Sequence, residues 1–291
     1  MNADHGAEIE RHFCSAGGLR WHYRAAGVGP ALVLLHPSPR SSGMYEPWMR
    51  TLSAHFRVLA VDTPGYGASD PLPNSPNSPH SPNAPRTLHD YIAPLHALLQ
   101  CTAAPRCLIY GSATGAQLGI AYANAHPQAV QHLLLDNAAH FDDEERARIL
   151  ARYFPDLTPR ADGSHLATAW QMCAQMLEFF PWFDADDAHR IAPGPAPAAA
   201  VHASLQELLA AGPGYAAAYR AAFEHERAAH VQSLTVPTSL LRWQGSILLR
   251  HIDRLIGFDL PPLLRVIDIP AALPERYAAM TEHLLSLRQA A

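Results

Sequence analysis

The sequence predicts an α/β protein in which helices flank a mostly parallel central sheet. Short apolar runs at 30–37, 57–62 and 107–110 have the length and composition of strands that are buried on both faces. Segments with helical spacing, such as Thr114 to His126, alternate with these runs. At 291 residues the chain can bury one large core. Alternating buried strands and helices in a chain of this length are typical of a parallel sheet covered on both sides.

The strand segments follow one another in a regular order. The run 30–37 contains His36 at its end, and the run 57–62 leads into a glycine-rich turn. The run 107–110 continues through a sharp turn into the helix that begins at Thr114. Later runs of the same kind lie at 131–135, 236–241 and 264–269. Each run therefore supplies one candidate strand of the sheet.

Residues 108–116 have the frame of a nucleophile elbow but lack its nucleophile. In the pattern G-x-S-x-G, two glycines let a strand turn sharply into a helix and expose the middle side chain. Gly111 and Gly115 are in place, whereas the middle residue is Ala113. Because a methyl group can neither attack a carbonyl nor hold a proton, we expect no covalent catalysis at this position.

The order of these motifs resembles the α/β-hydrolase fold. A strand and the His36 turn are followed by a strand, the D-x-P-G-x-G-x-S turn at 62–69, another strand and the elbow. The resemblance covers most of 9–137 and resumes at about 234–288. It implies an α/β-hydrolase core formed by 1–137 and 233–291, with a helical cap inserted at 138–232.

The segment 138–232 has a helical pattern throughout. Apolar residues recur at helical spacing in 142–153, 165–180, 197–211 and 215–230. If the segment covers the active site as in the family, its aromatic residues would line or support an apolar pocket. These residues are Trp170, Phe179, Phe180, Trp182 and Phe183. Packing of the cap against the core is the simpler interpretation of most of them.

The resemblance also implies positions for the other two members of a catalytic triad. The acid of the family follows the strand 236–241, where this chain has Ser246. The base is a histidine in a Gly-His turn after the strand 264–269, where Pro270-Ala271-Ala272 leads directly into the next segment. An inactive variant made by engineering would be expected to differ from the family at only one of these three positions. Since all three positions differ here, we infer a natural loss of the triad, and we do not expect a serine hydrolase that uses the usual mechanism.

Two backbone donors of the family's oxyanion hole remain possible. The N–H of Thr114 follows the elbow tip, and the N–H of Ser38 lies on the turn after the strand 30–37. Such donors polarise a carbonyl or hold an enolate or a carboxylate. Arg40 on the same turn is a candidate for binding a substrate carboxylate, with an ordinary surface arginine as an equal alternative.

Candidate proton carriers are few. His36 either braces the oxyanion turn, which we favour, or takes part in acid–base catalysis. Asp136 and His140 either form an Asp-His pair or belong to a capped turn. Ser112 is a packing residue or a displaced nucleophile, and His165 faces the pocket or the solvent.

Three function classes follow from these residues. The first is an enzyme with altered acid–base chemistry, namely a lyase, an isomerase or a water-mediated hydrolase, acting on a small carbonyl or carboxylate compound. The second is a catalytically inactive relative that binds a small ligand or a protein partner. The third is a hydrolase with a displaced nucleophile such as Ser112. We rank them in this order.

Composition limits the partners and the compartment. The formal charge of −5 and the pI near 6.4 give no basic surface for nucleic acid. No basic and apolar leader and no stretch long enough to span a membrane are apparent, so we expect a soluble, cytoplasmic protein.

Cofactors and cross-links are not indicated by the sequence either. The histidines lack metal-binding spacing, so we predict no metal and no cofactor. Cys14, Cys101, Cys107 and Cys173 have neither metal-like nor redox-like spacing and are interpreted as small thiols. Residues 71–86 repeat Ser-Pro and predict an extended loop.

Overall fold

The computed structural model describes residues 8–73 and 86–289, in which eight strands form one sheet. The strands are β1 (Glu10–Ala16), β2 (Leu19–Ala26), β3 (Ala31–Leu35), β4 (Arg57–Val61), β5 (Cys107–Ser112), β6 (Val130–Asp136), β7 (Thr238–Trp243) and β8 (Leu264–Ile269). Their spatial order is β1-β2-β4-β3-β5-β6-β7-β8. Pairing is antiparallel for β1 with β2 and for β2 with β4, and parallel at every other junction. The predicted mostly parallel sheet is confirmed.

Helices cover both faces of this sheet. The helices are α1 (Glu46–Leu52), α2 (His89–Cys101), α3 (Thr114–Ala125), α4 (Asp143–Arg152), α5 (Ser164–Glu178), α6 (Ala198–Ala211), α7 (Ala216–His225), α8 (Ala228–Gln232), α9 (Leu249–Ile256) and α10 (Leu273–Gln289). Val33 and Leu35 of β3 pack in the cluster that contains α2 and α3. Leu32 and Leu34 pack in the cluster that contains α1 and α10. Both faces of the strand are buried, which explains why the strand segments read as continuous apolar runs.

The cap helices α4 to α8 lie between β6 and β7. One predicted helix, 215–230, is in fact two, because α7 ends at His225 and α8 begins at Ala228. The carbonyl oxygen of Glu226 accepts a hydrogen bond from Nη2 of the buried Arg146 at 2.9 Å. This oxygen is therefore bonded to a side chain of α4 and not to a backbone N–H one turn further along the chain. Glu226 lies at the break between the two helices.

The cysteines differ from the prediction. Cys14 and Cys101 are joined as a disulfide between β1 and the last residue of α2, so their interpretation as thiols is wrong. That contact joins two residues that are 87 positions apart, which no local pattern indicates. Cys107 and Cys173 are buried free thiols.

Two further sequence predictions concern loops and membranes. Residues 74–85 of the predicted loop 71–86 lie outside the described residues. Within the two described ranges, none of the helices combines the length and the apolar character that crossing a bilayer requires.

Candidate functional site

The turn from β5 into α3 is sharp and closely packed. Its tip, Ala113, has φ 47° and ψ −109°, a conformation that L-residues rarely adopt. The Ala113 N–H donates to the carbonyl oxygen of Asp136 at 2.9 Å. A Cβ atom on Gly111 would overlap the carbonyl of Gly115, and one on Gly115 would overlap the carbonyl of Leu35. Both glycines are thus required by the packing of the turn itself.

A cavity of about 290 Å³ opens over this turn. Its lining comes from the core turns (Pro37, Ser38, Ser112, Ala113, Thr114, Asn137), from the cap (Tyr153, Met176, Phe180, Tyr219, Ala222, Phe223, Glu226) and from the end of β7 and the segment after it (Trp243, Ile247, Leu248). Most of these side chains are apolar or aromatic. Glu226 is the one carboxyl group among them, and none of them is Arg, Lys or His. The cavity therefore suits a small and largely apolar compound.

The two backbone donors predicted from the sequence, the N–H groups of Ser38 and Thr114, both lie at Thr114. As the first residue of α3, Thr114 has an N–H with no acceptor inside the helix. The Ser38 N–H donates to the hydroxyl oxygen of Thr114 at 3.3 Å. The positive end of the α3 dipole faces the same place. A ligand oxygen at this point would meet partial positive charge without contacting any cationic side chain.

His36 lies below the cavity and is not part of its lining. The ring is fully buried, its Nδ1 lies 3.0 Å from the Pro37 carbonyl oxygen, and its Nε2 accepts from the Thr63 N–H at 3.0 Å. Burial lowers the pKa of His36, and the nearby Asp62 only partly opposes this effect. The imidazole is therefore neutral near pH 7 and links the turn after β3 to the turn after β4.

Asp136 and His140 are not hydrogen-bonded to each other. Oδ2 of the buried Asp136 accepts from the Tyr110 hydroxyl at 2.8 Å and from Nη2 of Arg276 at 2.6 Å. Nδ1 of His140 accepts from the Ala228 N–H at 3.2 Å. The two candidates thus serve separate contacts, and neither lines the cavity.

Ser246, at the position predicted for the acid, is hydrogen-bonded to Asn137. Its hydroxyl donates to Oδ1 of Asn137 at 2.5 Å and accepts from the Leu248 N–H at 3.0 Å. The Asn137 amide in turn donates to the hydroxyl of Ser112 at 3.4 Å. Ser112 lines the cavity, and the structure places no imidazole among the lining residues beside it.

The turn between β8 and α10, where the family resemblance implies the base, lies against an indole ring. Nε1 of Trp243 donates to the carbonyl oxygen of Ala271 in that turn at 3.1 Å. The guanidinium of Arg276 stacks on the same indole, with Cζ 3.9 Å from the ring centroid. Trp243 and Arg276 are thus fixed by contacts with each other and with neighbouring groups.

Three predicted ligand-binding residues lie outside the cavity lining. Nε of Arg40 pairs with Oε2 of Glu207 on α6 at 2.7 Å, so Arg40 connects the core to the cap. His165 accepts from the Arg160 N–H through Nδ1 at 3.1 Å. Trp170 is 40% exposed. Among the five cap aromatics singled out in the sequence, Phe180 lines the cavity.

Several lining residues were not identified from the sequence. The hydroxyls of Tyr153 and Tyr219 lie 2.9 Å apart, and burial raises the pKa of Tyr153 to about 12. Glu226 is 4% exposed, and burial raises the pKa of its carboxyl well above the usual range, with Arg146 opposing the shift. The sequence offers no signal that separates Glu226 from its polar neighbours Glu224, His225 and Arg227, and it offers none for Trp243.

Potential metal ligands do not cluster in the described part of the chain. Across 8–73 and 86–289, no group of three or more His, Cys, Asp or Glu side chains is arranged to hold a metal ion.

Known proteins share the sequence of part of this chain. Epoxide hydrolase 3 of Xenopus tropicalis is 30% identical over 125 residues, which cover 42% of this chain and 32% of that protein. A pimeloyl-[acyl-carrier protein] methyl ester esterase of Nitrosospira multiformis is 32% identical over 120 residues, 41% of this chain and 42% of the esterase. The chain thus spans less than half the length of these relatives.

Solved structures share the fold over nearly the whole chain. A mutant of potato epoxide hydrolase superposes with a TM-score of 0.72 at 18% identity, covering 98% of this chain and 100% of that one. A hydrolase from Pseudomonas aeruginosa gives a TM-score of 0.68 at 21% identity, with 96% and 98% covered. A family model described as the alpha/beta hydrolase fold matches residues 30–199. Since that match covers more than half of the chain and the sheet has the corresponding order, the protein belongs to the α/β-hydrolase-fold family.

Proposed function

We propose that this family member works without a catalytic triad and uses acid–base chemistry on a small, uncharged carbonyl compound. Its reaction would be that of a lyase, an isomerase or a hydrolase that activates water. The observation that carries this proposal is the position of Ala113. An alanine occupies the tip of the strand–helix turn, at the edge of an apolar cavity, where covalent catalysis needs a nucleophile.

The environment of the other triad positions supports the loss of the covalent mechanism. Ser246 has a hydroxyl where an acid would have a carboxylate, so it cannot orient a base in the same way. That hydroxyl is hydrogen-bonded to Asn137 and to the Leu248 N–H. The turn after β8 contains no histidine and contacts the Trp243 indole. A serine introduced or displaced into the cavity would therefore find no imidazole within the lining.

The lining supports an uncharged substrate in preference to a carboxylate. No Arg, Lys or His side chain reaches the cavity, and Arg40 is paired with Glu207. An anion would lose its hydration without gaining a cationic partner, which is costly in an apolar site. A carbonyl oxygen would instead be stabilised by the Thr114 N–H and the end of the α3 dipole.

A second candidate function is binding without turnover. It is favoured by one observation, the indole of Trp243 against the turn where a base would stand. In that case the cavity would hold the same class of compound and leave it unchanged.

A panel of small ketones, esters and epoxides tests the proposal. We expect some members to raise the melting temperature of the wild-type protein and to be consumed, as followed by NMR of the compound. Ala113→Leu, which fills the floor of the cavity, should abolish both effects, while Glu224→Gln, at a half-buried position outside the lining, should keep them. Stabilisation without consumption would select the binding function. An equal response of wild type and Ala113→Leu would reject the cavity as the site.

A further inference from the structure

The carboxyl group of Glu226 is buried at the cavity and lacks a protein partner. It lies at the break between α7 and α8 and is 4% exposed. Its Oε2 is buried and has no hydrogen-bond partner within the described residues. Buried polar atoms are nearly always hydrogen-bonded, and an unpartnered one costs about 1–3 kcal/mol. A carboxyl kept in this state beside a cavity needs an explanation other than the stability of the fold.

The groups that face Glu226 do not satisfy its carboxyl. Arg146 of α4 directs Nη2 to the backbone carbonyl oxygen of Glu226, leaving the side chain without that hydrogen bond. The hydroxyls of Tyr153 and Tyr219 also lie close enough to interact electrostatically with Glu226, but they are bonded to each other. The carboxyl thus remains available to a molecule in the cavity.

The state of the carboxyl decides what kind of molecule it can bind. Burial is the dominant influence on its pKa and raises it, whereas the charge of Arg146 lowers it only in part. The neutral acid is therefore the favoured form, and a neutral carboxyl donates one O–H hydrogen bond. A ligand oxygen that accepts this bond would remove the unsatisfied group. An anionic ligand would disfavour ionisation of the Glu226 carboxyl still more, but the lining would offer that ligand no cationic side chain.

We propose that Glu226 is a ligand-binding residue of the cavity, which donates its carboxyl proton in a hydrogen bond to an acceptor oxygen of an uncharged compound. The proposal rests on the proposed function in that the same cavity holds the ligand. It adds an anchor on the cap side to the Thr114 N–H on the core side. It also narrows the substrate class to uncharged molecules that carry an accepting oxygen.

Two probes of similar shape separate this role from simple burial of apolar area. Acetophenone has one acceptor oxygen, whereas ethylbenzene has none. Calorimetric titration of both into wild type, Glu226→Gln and Glu226→Ala gives the ratio of the two affinities for each protein. We expect that ratio to fall about tenfold in Glu226→Ala, the loss of one hydrogen bond to a buried donor. Glu226→Gln keeps an N–H donor and should keep the ratio within about threefold.

Ethylbenzene serves as the test of an intact cavity in each variant, and Glu224→Gln, two residues earlier in α7, is the matched control. An infrared difference spectrum of wild type minus Glu226→Gln should show the C=O band of a protonated carboxyl, shifted on addition of acetophenone. An unchanged affinity ratio in Glu226→Ala, or a carboxyl band that acetophenone does not shift, would overturn the role of Glu226 and leave the proposed function standing. Failure of wild type to bind either probe would overturn the proposed function as well.

Discussion

The two sides of the cavity floor are built from different parts of the chain. On the side of β5 and α3, the site consists of backbone, namely the tip at Ala113 and the N–H groups at the start of the helix. On the side where β6 and β7 end, it consists of side chains, among them Asn137 and Trp243, with Ser246 hydrogen-bonded to Asn137 from outside the lining. The first side is a sharp turn that depends on the close packing of its glycines, whereas the second is held by hydrogen bonds between side chains.

The reason for this difference lies in what the fold needs. Gly115 is in close contact with the carbonyl of Leu35, so the sheet and α3 can approach only if the glycine is kept. No comparable requirement fixes the side chain at position 246, where a serine satisfies its hydrogen bonds with Asn137 and Leu248. A motif made of backbone and glycine therefore predicts the fold. It does not predict the chemistry.

The largest expected effect is on the side-chain half of the floor. Arg276→Met leaves the carboxylate of Asp136 buried without its cation and removes the stacking of the guanidinium on Trp243. Breaking a buried ion pair by removing one partner costs about 3–5 kcal/mol. We expect a loss of this size in the free energy of unfolding, measured with urea at pH 7.

The double variant Asp136→Asn with Arg276→Met is the control for that effect. Because it removes both charges, it should lose less stability than Arg276→Met alone. A loss below about 1 kcal/mol in Arg276→Met would mean that the Asp136–Arg276 pair behaves like an exposed ion pair. The contacts of these side chains would then not be what holds that side of the cavity floor in place.

A somewhat smaller loss is expected on the backbone half. Gly115→Ala puts a methyl group into the Leu35 carbonyl, and overpacking of this kind costs about 1–3 kcal/mol, with backbone clashes at the upper end. Gly194→Ala is the matched control, since a methyl group there meets open space. Equal urea midpoints for the two variants would mean that the elbow glycines are not needed by the fold.

The same division explains how far the sequence could predict the molecule. The strand segments and Ala113 were identifiable because each depends on neighbouring residues only. Glu226 was not identifiable, since its carbonyl oxygen accepts a hydrogen bond from Arg146, which is 80 positions away in sequence. Trp243 was missed for a similar reason, because its contact with Ala271 forms only when β7 and β8 pair. The ion pair of Arg40 with Glu207 could not be predicted either, because Glu207 lies in the cap, far away in sequence.

Acid should weaken the fold through a buried histidine of α9, close to the side-chain half. His251, in α9, is 1% exposed and packs against Phe141, with the ring centroids 4.2 Å apart and the rings tilted by 37°. Burial lowers the pKa of His251 to about 4, although the nearby Glu145 acts in the opposite direction. The unfolded chain therefore takes up a proton below about pH 6.5 that the folded protein refuses until about pH 4.

Stability should fall by about 1–2 kcal/mol from this residue alone as the pH drops from 7 to 5. His251→Phe keeps the aromatic packing and removes the titration, so its unfolding free energy should fall less steeply over the same interval. A pH profile parallel to that of wild type, measured by urea unfolding at several pH values, would mean that His251 does not titrate abnormally.

The smallest expected effect is the most direct test of the comparison. Ala113→Ser restores the side chain of the nucleophile on the backbone half, where the helix N–H groups already stand. We expect esterase activity on p-nitrophenyl acetate within about twofold of the parent, because no lining residue is a histidine that could take the hydroxyl proton. Incubation with a fluorophosphonate should leave the intact mass of both proteins unchanged. An adduct on the parent would identify another reactive serine, with Ser112 as the first candidate. A stoichiometric adduct or a burst of hydrolysis in Ala113→Ser alone would mean that the backbone half is sufficient to activate a serine, and that the side chains at the ends of β7 and β8 were never the limiting loss.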